Sequence, residues 1–125
     1  LGGCMSGNVK FNGWINDDGS ENYKCRAWVN FNGTGTVAIR ASGNVSSITD
    51  NGVGDYTINF TTAMVDSNYS GPVSAQRLND KNTRGNIGSQ ATYAANKTTS
   101  AYRLQATDSG FNAVDPDMFD VAVFR

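Results

Sequence analysis

Histidine is absent from this chain, which removes every catalytic or metal-binding arrangement that needs an imidazole. Acid–base chemistry would have to rest on carboxylates. The closest pairs are Asp17/Asp18 and Asp115/Asp117. Cleaving a glycosidic bond takes two carboxyls facing each other across a cleft, one of them with a raised pKa. These pairs sit instead in Asp17-Asp18-Gly19-Ser20 and Asp115-Pro116-Asp117, where Asp bonds neighbouring backbone and builds turns. The expectation is a protein with no catalytic residues. Asp50-Asn51-Gly52-Val53-Gly54-Asp55 offers oxygen ligands, but it lacks the Glu that closes an EF-hand loop and reads as a hairpin turn. Neither a metal nor another cofactor is expected. Cys4 and Cys25 leave two readings open, a disulfide or a pair of small apolar side chains.

Non-covalent recognition is the chemistry that remains. Sugar binding combines an aromatic ring against the pyranose with amide, carboxylate or guanidinium hydrogen bonds. Outside the strong strand patterns, the aromatic candidates are Trp14, Tyr69 and Tyr93. The polar candidates are Asn79, Asp80, Lys81, Asn82 and Arg84, in a run from 79 to 90 with Ile87 as its one apolar residue. That run reads as a long exposed loop whose composition is free to serve binding.

The bulk properties agree with a non-catalytic module. Asn, Ser, Thr and Gly make up 51 of 125 residues, a balance that suits strands joined by tight turns and a surface of neutral polar groups. The formal charge is −1, with no basic patch, so nucleic-acid binding is not expected. No apolar run approaches the ~20 residues of a membrane-spanning helix, and no membrane insertion is expected. The chain begins with Leu1 and shows no signal-peptide pattern, which reads as a C-terminal fragment or a processed product.

The elements that would position these residues are short strands. Residues 26–31 alternate Ala27, Val29 and Phe31 against Arg26, Trp28 and Asn30. Residues 36–41 place Val37, Ile39 and Ala41 on one face. A third strand spans 45–49, and 56–62 alternates Tyr56, Ile58 and Phe60 against polar residues. With glycine turns between them, the four form an antiparallel meander with one apolar face. Further strands are expected at 73–78, opening at 93–94, at 100–106 and at 118–124. The last is apolar on both faces, which suits a central strand or a strand facing a partner subunit. No window shows a helical period. The expected fold is all-β, an antiparallel β-sandwich, with residues 25–125 as the domain and 1–24 as a partly stranded connecting segment.

The stretch RAWVNFNGTGTVAIRASGNVSSITDNGVGDYTINFTTAM, the later Asn68-Tyr69-Ser70 and the closing Phe119-Asp120-Val121-Ala122-Val123-Phe124-Arg125 carry a further signal. Together they resemble the C-terminal receptor-binding module of bacteriophage tail fibres. The resemblance covers roughly residues 25–125. It implies a homotrimeric, non-enzymatic adhesin at the tip of an upstream fibre shaft, part of the virion and assembled in the cytoplasm of the bacterial host. Its receptor would be a bacterial surface glycan, such as lipopolysaccharide or capsule, or an outer-membrane protein. The family supplies no fixed set of binding residues. Receptor contact is therefore expected from Tyr69, Asn79, Asp80, Lys81, Asn82, Arg84 and Tyr93. The trimer interface is expected at Phe119, Val121 and Val123. The alternative is a carbohydrate-binding module of a glycan-degrading enzyme, which would usually be monomeric.

Overall fold

The computed structural model describes residues 15–20, 23–78, 80, 82–88 and 93–125. Among the described residues, eight strands form two four-stranded antiparallel sheets. They are β1 (Cys25–Asn32), β2 (Ala38–Gly43), β3 (Val45–Gly52), β4 (Asp55–Phe60), β5 (Val73–Gln76), β6 (Arg84–Ile87), β7 (Ala101–Thr107) and β8 (Met118–Phe124). One helical turn, α1 (Tyr93–Asn96), lies between β6 and β7. The sheets have the orders β2-β1-β8-β5 and β3-β4-β7-β6, and they pack face to face as an all-β sandwich.

Alternation sets the inward faces. Ala27, Val29 and Phe31 of β1 and Phe119, Val121 and Val123 of β8 meet Tyr56, Ile58 and Phe60 of β4 and Tyr102, Leu104 and Ala106 of β7. The core holds an aromatic cluster near each end. Phe31 and Phe119 stack at 5.3 Å, with the Tyr56 ring edge-on to Phe31 at 5.2 Å. At the other end Tyr69 packs edge-on against Phe60 at 5.8 Å and Tyr102 at 5.6 Å. These are the separations at which aromatic quadrupoles attract.

Four expectations change. The first four strands are not one meander, because the chain leaves the first sheet after β2 and enters the second at β3. The corner is Asn44, which holds φ +54°, a left-handed conformation that Asn tolerates better than most residues. Its side chain fixes the corner. Nδ2 donates to the carbonyls of Arg26 and Thr62, both at 3.0 Å, and Oδ1 accepts the Thr62 N–H at 2.7 Å. Second, residues 79–90 are not all loop, since Arg84–Ile87 pairs with β7 from Arg84↔Thr107 to Ile87↔Leu104. Third, residues 93–94 open a helical turn and not a strand. Fourth, β2 lies at a sheet edge and is exposed almost throughout, so Val37, Ile39 and Ala41 do not share a buried face.

The expected trimer-interface residues also move. Phe119, Val121 and Val123 lie inside the sandwich, and their side chains are covered by the chain's own second sheet. Because β8 is flanked by β1 and β5, a neighbouring subunit can meet this strand only at the alternate positions Met118, Asp120, Ala122 and Phe124.

Candidate functional site

The strand registers separate two ends of the sandwich. At the entry end, Cys25 pairs with Phe124 and Ser70 bridges to Phe124. At the opposite, hairpin end lie the β1–β2 and β3–β4 turns, the turn after β5, and the loop over 108–117 that leads into β8.

The hairpin end is tied together by hydrogen bonds around that last loop. Gly33 N–H donates to the Pro116 carbonyl at 2.8 Å, and Val114 N–H to the Ala106 carbonyl at 3.0 Å. Asp115 Oδ1 accepts the Gly54 N–H at 2.8 Å and lies 2.7 Å from the Tyr56 hydroxyl. Leu78 N–H donates to Asp117 Oδ2. Gly54 holds φ +64°, and a Cβ there would stand 2.6 Å from the Ala106 carbonyl oxygen, so the β3–β4 turn can dock only with glycine. Asp115 and Asp117, weighed above as a carboxylate pair, thus serve as backbone anchors. Asp18 does the same in its own turn, accepting the Ser20 N–H at 2.9 Å and the Ser20 hydroxyl at 2.5 Å.

On this anchored end the loop displays Phe111. Its φ is +64°, a conformation that costs a bulky L-residue about 1–2 kcal/mol, and its ring is 76% exposed. Backbone strain at an aromatic left largely exposed is a mark of function more than of folding. The loop is shaped by Asp108, whose carboxylate accepts N–H groups of Gly110 at 2.8 Å and Asn112 at 3.0 Å. Those bonds, the Asn112 side chain and the nearby Arg77 charge hold the Asp108 carboxyl below its ordinary range. Arg84, at the start of β6, lies over the Phe111 ring at 5.7 Å.

The turn after β5 completes the surface. Arg77 and Asp80 pair at 3.3 Å, the Asp80 N–H donates to the Arg77 carbonyl at 3.1 Å, and Asp80 Oδ1 accepts the Asn82 N–H at 2.9 Å. Leu78 projects outward and is exposed. One end of the sandwich therefore gathers guanidinium, carboxylate, amide and bare aromatic surface on a fixed backbone. That set can stack against a sugar ring and satisfy its hydroxyls with donors and acceptors.

Of the residues expected to bind, Asp80, Asn82 and Arg84 belong to this cluster. Tyr69 does not. It is buried at the entry end, with its hydroxyl 3.2 Å from the Thr98 carbonyl and 3.1 Å from that of Ala101, and Lys97 Nζ sits 5.1 Å from its ring centre. Burial raises its pKa. Tyr93 begins α1, which lies between β6 and β7 in the chain. Asn79, Lys81, Trp14 and Cys4 lie outside the described residues. Cys25 is described, and its thiol donates to the Ala27 carbonyl at 3.0 Å. Sequence reasoning missed Arg77, Leu78 and Phe111. The signal for Phe111 was present as a lone aromatic inside the turn-forming run Asp108-Ser109-Gly110-Phe111-Asn112.

Among the described residues, no group of three or more His, Cys, Asp or Glu could hold a metal ion, and no helix is long and apolar enough to cross a membrane. Comparison with protein-family models, curated proteins and solved structures finds no match to this chain.

Proposed function

We propose that this chain is the receptor-binding tip module of a bacteriophage tail fibre and that its hairpin end contacts a glycan on the bacterial surface. The observation that carries the reading is Phe111, held exposed in a strained conformation beneath Arg84, at the same end of the sandwich as the turn after β5. Two features support it. The cluster lies at the end of the sandwich opposite the segment that leads into β1, which is where a terminal module on a shaft meets its target. The resemblance over residues 25–125 supplies the rest of the reading, namely a homotrimer on an upstream shaft, carried in the virion. Three copies would turn weak single-site contacts into firm attachment. The recognition is non-enzymatic and needs no cofactor.

The test is adsorption of the fluorescently labelled full chain to a panel of bacterial strains, before and after periodate oxidation of their surface sugars. Saturable adsorption that periodate abolishes is expected. The double variant Arg84→Ala/Phe111→Gly should lose most of it while nearly keeping its melting temperature, since Phe111 is largely exposed and glycine accepts its backbone conformation. Undiminished adsorption of that folded variant overturns the site, and adsorption indifferent to periodate overturns the glycan. Light scattering on the same sample should give a trimer, whereas a monomer favours a carbohydrate-binding module.

A further inference from the structure

The two outer faces of the sandwich differ. On the β3-β4-β7-β6 sheet the outward side chains bond to one another. Asn59 Nδ2 bridges Ser47 at 3.1 Å and Thr49 at 2.9 Å, Asn51 Nδ2 reaches Thr57 at 2.8 Å, and Arg103 forks onto both Asp55 oxygens at 2.9 and 2.6 Å. That face is a saturated polar ladder.

The β2-β1-β8-β5 face is built in two rows. In one, Gly43, Trp28 and Ala122 lie side by side across three strands, with Pro72 next to Ala122 through a 3.2 Å backbone bond. Trp28 is 44% exposed although β1 is an interior strand, because its cross-strand neighbours are so small. Gly43 is required there. A Cβ at that position would stand 2.4 Å from Trp28 Nε1, so the indole spreads over bare β2 backbone. In the second row, two residues along each strand, lie Asn30, Asp120 and Ser74. Asn30 is fixed from both sides, donating through Nδ2 to Asp120 Oδ1 and accepting through Oδ1 from Arg40 at 3.3 Å. A shallow, open groove of about 450 Å³ runs past Trp28, Ala122 and Pro72 of the first row and Asn30, Asp120 and Ser74 of the second.

We propose that this face is a second glycan site, in which a pyranose ring stacks on Trp28 and its hydroxyls are read by Asn30, Asp120 and Arg40. A flat apolar ring beside an oriented amide, carboxylate and guanidinium is the complement of a sugar, apolar on its C–H face and ringed by hydroxyls. A second copy of the chain is the other natural occupant, and one observation weighs against it. Charged groups adjoin the aromatic, whereas the centre of a protein interface is depleted of charge. The inference shares the glycan-binding reading given above but stands on different residues.

The test uses the full chain carrying Trp14→Phe, which leaves Trp28 as its one indole. Fluorescence is titrated with purified O-antigen and capsular polysaccharides, and the same preparations are printed as an array. A saturable shift in Trp28 emission is expected, and it should persist in the Arg84→Ala/Phe111→Gly background. On the array, Trp28→Ala and Asp120→Asn should each weaken binding about tenfold, while Trp28→Tyr, which keeps a stacking ring, should retain most of it. Array binding unchanged by Trp28→Ala overturns this site and leaves the hairpin end standing. Absence of any polysaccharide binding overturns both. An emission shift that follows protein concentration alone, together with a rise in mass, assigns the face to contact between copies and overturns the proposal.

Discussion

The Tyr56 hydroxyl lies 2.7 Å from Asp115 Oδ1, and this contact joins the core to the loop that displays Phe111. Tyr56 is fully buried, and its ring packs against Phe31 and Phe119. Its hydroxyl end sits beneath the hairpin end of the sandwich, also within 3.0 Å of the Gly33 carbonyl. The same Asp115 oxygen accepts the Gly54 N–H, so one carboxylate holds the 108–117 loop to a strand and a neighbouring turn. The position of Phe111 is set from below by a core residue.

Tyr56→Phe removes the hydroxyl and leaves the ring. The Gly33 carbonyl and the Asp115 carboxylate share the one hydroxyl proton, and losing it costs about 1–3 kcal/mol of stability. Chemical denaturation should show this as a lower midpoint with an unchanged slope. Receptor adsorption should fall further than stability alone explains, because the loop loses its anchor.

Val121→Asp tests where β8 is buried. The side chain is 5% exposed and lies within a single chain's core, so the new carboxylate would have no partner. The expected outcome is an unfolded or aggregated chain by circular dichroism. A folded monomer would show that the residue lies at an interface between subunits instead.

The dependence on pH follows from two groups of residues. Burial raises the phenols of Tyr56, Tyr69 and Tyr102 above their ordinary value of 10.0. The folded state therefore holds those protons more tightly than the unfolded state. The stability they contribute is complete below pH 10.0 and is lost as pH rises above it. On the acid side, Asp66 is held below its ordinary 3.8 chiefly by its hydrogen bonds with Arg125, and Asp108 chiefly by the Asn112 N–H. Their contribution is complete above pH 3.8 and declines as pH falls toward the lowered values. Melting temperature should be level through neutrality and drop on both sides. The part of the phenolate absorbance that belongs to these three buried rings should rise together with unfolding and not before it. Adsorption should fall in acid as well, because protonating Asp108 loosens the Phe111 loop.

The legible parts of the fold were those with one buried face. In β1, β4 and β7 apolar residues alternate with mostly polar ones, β8 is apolar on both faces, and all four are interior strands whose inward positions had to match a core. The edges were harder to read. Arg84-Gly85-Asn86-Ile87 has one large apolar residue because it pairs on one side only, and its composition is that of a loop. The crossing between sheets was hidden because Ser42-Gly43-Asn44 suits a hairpin as well as a corner, and the distinction rests on Arg26 and Thr62, distant in sequence. Polar Asp80, Asn82 and Arg84 were recoverable as a run. Tyr69 was misplaced because its neighbours Asn68 and Ser70 are polar, while its burial is decided by Phe60 and Tyr102. Phe111 reaches Arg84 only through the fold.

The position of β1 between β2 and β8 has a mechanical consequence. Tension applied where the chain enters at Cys25, with the hairpin end held by a receptor, runs along the axis of β1. Both flanking ladders, Trp28↔Gly43 to Asn32↔Ala38 on one side and Cys25↔Phe124 to Phe31↔Phe119 on the other, lie across that direction. Antiparallel hydrogen bonds are perpendicular to the strands, so the load falls on them in shear and is shared among many at once, where a peeling geometry would break them one at a time. Under the proposed receptor-binding reading, that geometry would keep the sandwich folded under load.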